Sequence, residues 1–228
     1  MELKDIPQNE IKKLINNLYD KAIKNSDAKD GGGFGAPMEQ SFTQAALLAH
    51  GYIYSHDTIE KAAKSFIRAQ IAKGTTVGVA SGLGGFLTFP VAVLADVAGV
   101  LYLQIQTIVC LAYMSGYDIE SDEIRTLVFA CLAGVPMGKL LRDNNIHLED
   151  EFAQGVVESI PSEVLAIVNQ KVVFRLAAKF CESSACRLGK TLPIVSSAIS
   201  GTYDALETHQ ISCRAYRLFI KKELDALE

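Results

Sequence analysis

The sequence predicts an all-α protein, a helical globule built around a central apolar helical hairpin. Apolar residues recur at helical spacing in almost every segment, and helix-starting and helix-stopping residues separate these segments. No segment alternates apolar and polar residues over a convincing length, and the chain contains no Asn-Gly hairpin turn. From Gly74 to Tyr117 the only charged residue is Asp96. The length of 228 residues suits one domain, or one domain with an N-terminal extension.

Composition and charge argue against several classes of partner and compartment. The net charge is −4 and only 21% of the residues are charged, so the basic footprint of a nucleic-acid-binding protein is missing and no nucleic-acid partner is expected. The first ten residues, MELKDIPQNE, are polar and lack the apolar region of a cleaved signal peptide, which favours a cytoplasmic location. Reduced thiols are expected at the five cysteines, Cys110, Cys131, Cys181, Cys186 and Cys213.

The N-terminal part is predicted to be an amphipathic helix followed by a linker. Apolar residues at helical spacing indicate a helix over residues 9–24, and the glycine-rich stretch that follows, through residue 37, indicates a loop. Residues 1–37 are therefore assigned to this extension, and residues 38–228 to an all-helical domain. The domain is expected to begin with a short helix that ends near Gly51.

The next two helices are predicted to form the central hairpin. Asp57 is expected to cap the first one, with Glu60 completing a capping box, and the helix continues toward Gly82. Pro90 fits the first turn of the second helix, which is expected to run to about Ser115 and to stop at Gly116.

Three further helices complete the prediction. Ser121 is expected to begin the first of them, because Asp122 and Glu123 suit the positive end of a helix dipole. Pro161 begins a helix that reaches about Phe180, and Pro193 begins the last one, which reaches Lys222.

The glycines of SGLGGFLTFP, residues 81–90, are interpreted as an inter-helical bend. Gly82, Gly84 and Gly85 do not have the spacing of a dinucleotide-binding turn, no strand precedes them, and no P-loop lysine follows. We expect these glycines, with Pro90 and Pro193, to serve helix bending and close packing. The stretch LGKT at 188–191 lacks the earlier glycine of a Walker motif.

Two interpretations of the apolar span from Gly74 to Tyr117 stay open. Asp96 divides it into uncharged stretches of 22 and 21 residues, each about the length that crosses a bilayer. A helix that is apolar on all sides is also typical of the centre of a helical globule. The hairpin is therefore either a buried core or an element that is embedded in, or conditionally inserts into, a membrane.

Polar residues inside the apolar helices mark a candidate ligand site. Asp96 shares a helical stripe with Thr107 and has Gln104 on its flank, while Asp204 lies on a small polar face of the last helix. A buried carboxylate must be paired, hydrogen-bonded or protonated. Arg125, Lys171 and Arg175 are the candidate partners of the two acids. The two interpretations are an internal salt bridge or cap, and a site for a lipid or ligand headgroup formed by Asp96, Gln104, Thr107, Asp204 and Arg175.

Motifs of catalysis and of metal binding are missing. The four histidines lack H-E-x-x-H spacing, no G-x-S-x-G elbow occurs, and Cys181 and Cys186 have no second pair to complete a zinc site. The sequence therefore predicts no catalytic residue, no metal and no cofactor.

Several segments resemble the EcsC family. The core at 68–134, which contains TTVGVASGLGGFLTFPVAVLADVAGVLYLQIQTIVCLAYMSGYD, looks like the family's characteristic core, and the blocks at 160–180 and 188–219 follow in the family's order. The resemblance covers about residues 40–222, with Asp96, Asp204, Pro90 and Pro193 at the family's positions. Two glycine-containing turns of the family are replaced here, by PIVSSAISG and by FCESSAC.

The resemblance implies a context without a mechanism. The family is named after a bacterial protein encoded beside an ABC transporter, which favours a protein in the cytoplasm or at the inner face of the cytoplasmic membrane, and it brings no catalytic residues. The hairpin segment also looks like the membrane-proximal hairpin attached to some bacterial GTPases, although GTPase motifs are missing.

The leading functional prediction is a non-enzymatic, membrane-associated helical protein of the EcsC type. It would engage membrane lipid or a membrane protein, such as a transporter subunit, through its apolar helices. The alternatives are a soluble carrier of an apolar ligand and a membrane-perturbing effector or stress protein whose 74–117 hairpin inserts. Catalysis has the least support.

Overall fold

The computed structural model describes six α-helices and one π-helical segment, and the described residues contain no strand, which confirms the all-α prediction for them. These residues are 8–23, 44–75, 92–135 and 195–223, together with 142, 162, 165–167, 169 and 170. The helices are α1 (Gln8–Ile23), α2 (Gln44–Tyr54), α3 (Ile59–Thr75), α4 (Ala92–Met114), α5 (Asp122–Ala133) and α6 (Val195–Ala215), and the π-helical segment (Tyr216–Ile220) follows α6 directly.

Helix α4 is the centre of the fold. It packs against all five other described α-helices and against the π-helical segment. Its side chains from Leu101 to Met114 are all buried except Tyr102 and Tyr113, which are half-buried. A helix needs apolar residues on all sides when neighbours cover it on all sides, and the composition of α4 meets this demand. From Leu101 to Met114, the second helix of the predicted hairpin is therefore part of the core of this structure.

The N-terminal helix α1 packs on this core. Its predicted range, 9–24, agrees with the observed one, and its buried side chains include Leu18 and Tyr19. Tyr19 is anchored on two sides: its hydroxyl donates to the carbonyl oxygen of Ile119 at 2.7 Å, and its ring meets that of Phe129 edge-on at 5.4 Å. Burial raises the pKa of the Tyr19 hydroxyl well above its usual range.

The C-terminal end of α4 and the start of α5 confirm the sequence prediction. Gly116 has φ +83°, and the amide of Tyr117 closes the end of α4 by donating to the carbonyl of Ala112 at 3.2 Å. Ser121 caps α5, since its hydroxyl accepts from the amide of Ile124 at 3.2 Å. Gly134, with φ +65°, ends α5 in the left-handed conformation.

Two predicted boundaries are wrong. Helix α2 continues past Gly51 to Tyr54. Gly51 is exposed, so its only effect on the stability of the helix is the low helix propensity of glycine. At the start of α3 the capping residue is Thr58, whose hydroxyl accepts from the amide of Lys61 at 3.3 Å. Asp57, the predicted cap, pairs instead with the Lys61 ammonium group at 3.1 Å.

Glu60, the predicted partner in the capping box, reaches a different element. Its carboxylate accepts from the Lys221 ammonium at 2.6 Å and from the Tyr216 hydroxyl at 3.4 Å. Lys64, one turn after Glu60 in α3, lies over the ring of Tyr216 at 5.7 Å. Tyr216 precedes Lys221, so a later residue of α3 contacts an earlier residue of the last helix. Helices α3 and α6 are therefore antiparallel.

Helices α4 and α6 run in the same direction. Gln104 contacts Thr208 near the middle of both helices, and further along the Tyr117 ring meets the Phe219 ring edge-on at 5.5 Å. The last helix does not stay α-helical to its predicted end, because it changes to a π-helical segment at Tyr216. The segment ends before Lys222, which has φ +59°.

Several predictions fall outside the described residues. These are the 25–37 loop, the bend at 81–90, most of the 161–180 helix, and the cysteines Cys181 and Cys186. The described cysteines, Cys110, Cys131 and Cys213, are present as thiols. Among the helices that the structure describes, none combines the length and apolar character needed to cross a bilayer.

Candidate functional site

The interface between α4 and α6 contains a buried polar contact. Gln104 is 1% exposed, and its amide nitrogen donates to a Glu207 carboxylate oxygen at 3.3 Å and to the Thr208 hydroxyl at 3.5 Å. Thr208 is itself buried. Gln104 was a predicted site residue, and the structure places it where two parallel helices meet.

Thr107, another predicted site residue, is buried but internally satisfied. Its hydroxyl donates to the carbonyl oxygen of Leu103, one turn back, at 2.7 Å. Ser212 on α6 does the same with the carbonyl of Thr208, at 2.6 Å. Both hydroxyls follow the usual pattern for Ser and Thr inside a helix. The hydroxyl donors of both residues are therefore already used within their own helices.

Gln70 of α3 is a buried polar residue that the sequence analysis did not single out. It continues the core stripe of α3 after Ala63 and Phe66, and all three side chains are fully buried. Neither its amide nitrogen nor its amide oxygen has a hydrogen-bond partner. The sequence did contain a signal, since Gln70 stands at a position of this stripe where an apolar residue belongs.

Helix geometry places Gln70 near the level of the Gln104–Thr208 contact. Gln70 follows Lys64 by six residues, which is about 9 Å along the axis. Lys64 contacts Tyr216 of the last helix. Because α6 is antiparallel to α3, the same distance along α6 leads from Tyr216 back to residue 210, which is two residues, or about half a helical turn, from Thr208. We call Gln70, Gln104 and Thr208 the polar layer; its members come from three helices that pack against one another.

The two predicted acids lie in the same helices as the layer. Asp96 precedes Gln104 by eight residues in α4, and Asp204 precedes Thr208 by four in α6, or about 12 Å and 6 Å along the axes. Because α4 and α6 are parallel, both positions lie on the same side of the layer. The two acidic side chains are outside the described part, as are Arg175 and the predicted packing residues Gly82, Gly84, Gly85, Pro90 and Pro193.

Arg125, a candidate partner of the two acids, contacts α1 in the structure. Its guanidinium donates to Asp20 of α1 at 3.2 Å and lies over the Tyr19 ring, 4.9 Å from the ring centre. The position of Arg125 near the start of α5 brings it to α1, because the α4–α5 turn lies beside Tyr19. Its role among the described residues is to hold α1 on the core.

A second group of polar side chains joins α2 to α4. The hydroxyl of Tyr102 donates to the side-chain oxygen of Gln44 at 3.1 Å and accepts from the Gln106 amide at 3.2 Å. Burial raises the pKa of the Tyr102 hydroxyl. Gln106 therefore differs from Gln70, although both are buried glutamines, because Gln106 has a partner.

The described residues offer hydrogen bonding without an arrangement for catalysis. Groups of three or more His, Cys, Asp or Glu side chains able to hold a metal do not occur among them. The nearest to a nucleophile–base pair is Cys213 with His209, whose sulfur and ring nitrogen are 3.7 Å apart on the exposed surface of α6. The polar layer itself presents amides and a hydroxyl, groups that form hydrogen bonds but do not transfer protons at neutral pH.

The comparisons with known proteins leave the family open. Neither a protein-family model, nor a curated protein, nor a solved structure matches the chain.

Proposed function

We propose that this chain is a non-enzymatic, membrane-associated helical protein of the EcsC type that binds a lipid between its apolar helices. The observation that carries the proposal is the polar layer, a set of buried amide and hydroxyl groups inside a mainly apolar bundle. Lipid sites are mostly apolar and use a few placed polar groups to fix the headgroup. The layer has this composition, and the predicted acids Asp96 and Asp204 lie on one side of it.

The packing of α4 favours binding inside the bundle over insertion of the hairpin. Insertion would require α4 to leave contacts with every other described α-helix. Removal of one large apolar side chain from such a core costs about 2–5 kcal/mol, so losing all these contacts at once would need a large compensating gain in the membrane. A lipid that enters the bundle needs a smaller rearrangement.

Cell fractionation tests membrane association. The full chain is expressed in a bacterium, and the membranes are washed with high salt and then with alkaline carbonate. A peripheral lipid-binding protein is expected to leave the membrane in one of these washes with lipid bound. Retention after carbonate would contradict the proposal and support the inserting hairpin.

A soluble carrier is the second candidate, and the same polar layer supports it. A carrier would appear in the cytosolic fraction with lipid bound, whereas the leading proposal expects a membrane pool. A membrane protein such as a transporter subunit stays a predicted partner, to be sought by cross-linking in the membrane fraction.

A further inference from the structure

We infer that Gln70 is the headgroup-binding residue of this lipid site and that the headgroup is uncharged and carries a hydroxyl, as in an acylglycerol. The inference rests on the proposed function and deepens it. It starts from one observation: the Gln70 side chain is fully buried, yet its amide nitrogen and oxygen are both without a partner.

The chemistry of the unused groups defines what would satisfy them. A glutamine amide offers two N–H donors and an acceptor oxygen. Burying these groups unsatisfied is costly, and most buried polar side chains in folded proteins have a partner. A hydroxyl both donates and accepts hydrogen bonds. One glycerol hydroxyl can therefore donate to the Gln70 amide oxygen, while a second hydroxyl or an ester carbonyl accepts from the Gln70 amide nitrogen.

The chemistry of Gln70 argues against an anionic headgroup. Its amide is uncharged and fully buried, so it supplies no positive charge to compensate a buried carboxylate or phosphate. A fatty-acid carboxylate or a phosphate would lose its hydration there without gaining a counter-ion from Gln70, whereas a neutral hydroxyl would not bear that cost.

Bound water is the competing occupant, because one buried water with several polar partners would also satisfy Gln70. The two occupants predict different results for replacing Gln70 with an apolar residue. If a lipid fills the site, the lipid-free chain gains stability when the unsatisfied amide is removed, and lipid binding is lost. If water or protein groups already satisfy the amide, its removal lowers stability and leaves lipid binding unchanged.

The experiment compares lipid-free full chain with its Gln70→Leu and Gln70→Met variants. Thermal unfolding is recorded with and without 1-monooleoylglycerol, with oleate and phosphatidylglycerol as charged probes, and affinity is measured for each. We expect the lipid-free variants to melt a few degrees higher than the parent chain and to bind monooleoylglycerol about tenfold more weakly, the loss expected for one or two hydrogen bonds. Gln106→Leu is the matched control, since it removes a partnered buried amide: it should melt lower and bind normally.

The outcomes distinguish a failure of the Gln70 inference from a failure of the proposed lipid-binding function. If the parent chain binds monooleoylglycerol and both Gln70 variants bind it equally well, Gln70 is not the headgroup residue, while lipid binding stands. Tighter binding of oleate or phosphatidylglycerol than of monooleoylglycerol would overturn the uncharged headgroup. Absence of any lipid-induced shift in the parent chain would contradict the proposed function itself.

Discussion

The Gln104 amide nitrogen lies 3.5 Å from the Thr208 hydroxyl, and this contact joins two parallel helices that are distant in the sequence. The same nitrogen donates to Glu207, so a single side chain of α4 uses both of its N–H donors on neighbouring residues of α6. A buried hydrogen bond of this kind fixes the register of two helices that apolar packing alone would leave freer to slide.

Replacing Gln104 with leucine is expected to lower the free energy of unfolding by about 1–3 kcal/mol, because the buried Thr208 hydroxyl loses its donor and Glu207 loses one of its contacts. Urea unfolding measures the change. Thr208→Val is the milder control, since it removes the hydroxyl but keeps the Gln104–Glu207 contact. A Gln104→Leu chain as stable as the parent would show that the contact contributes nothing to the register.

Gly134→Ala is expected to destabilise the chain by about 1–2 kcal/mol, the cost of a side chain in the left-handed conformation. Gly134 has φ +65°, and an added Cβ would also lie 3.1 Å from the Arg214 guanidinium. Gly51→Ala is the opposite control: an added Cβ there meets nothing within 4 Å, and alanine is the better helix former by about 0.5–1 kcal/mol. Thermal unfolding should therefore shift down for the first variant and up for the second.

Stability is expected to fall at alkaline pH because burial raises the pKa of several tyrosines. For Tyr117 burial raises the pKa to about 12 from the ordinary value of 10.0, and burial also raises the pKa of Tyr102. The unfolded chain therefore loses these protons first, so their contribution is fully present below about pH 10 and declines as the pH rises toward 12. For Tyr117 the decline is on the order of 2 kcal/mol.

Urea unfolding between pH 8 and 12 measures this slope. Tyr117→Phe removes the titrating hydroxyl, so the variant should lose less stability than the parent over the same interval. Equal slopes for the two chains would mean that Tyr117 titrates alike in the folded and unfolded states.

Ile108→Ala tests the central position of α4. Ile108 is fully buried in the middle of this helix, and its truncation is expected to cost about 2–5 kcal/mol. Leu47 on α2 is 46% exposed, and Leu47→Ala should cost much less. Similar unfolding midpoints for the two variants would contradict a core built around α4.

Sequence patterns predicted those parts of the fold that depend on local chemistry. The stop at Gly116 and the cap at Ser121 were correct, because the required conformation or hydrogen bond lies within a few residues. Thr58 and Asp57 are both good capping residues, and local rules could not choose between them. Glu60, the predicted partner of Asp57 in the capping box, pairs instead with Lys221 far along the chain, and local rules cannot foresee that contact.

The candidate site was predictable only in part for the same reason. Gln104 stood out as a polar residue in an apolar helix, and its burial was expected. Its partners on α6 could not be named, because the direction and register of two distant helices are tertiary facts. The contact of Arg125 with Asp20 of α1 could not be predicted on the same ground. Gln70 was passed over because α3 carries many polar residues on its exposed face.

Lipid analysis of the purified full chain tests the account most directly. The chain is purified without detergent, extracted with organic solvent, and the extract is compared with that of Gln70→Leu prepared in the same way. The account predicts a stoichiometric amount of an uncharged, hydroxyl-bearing lipid from the parent chain and little from the variant. A stable parent chain that yields no lipid would contradict it.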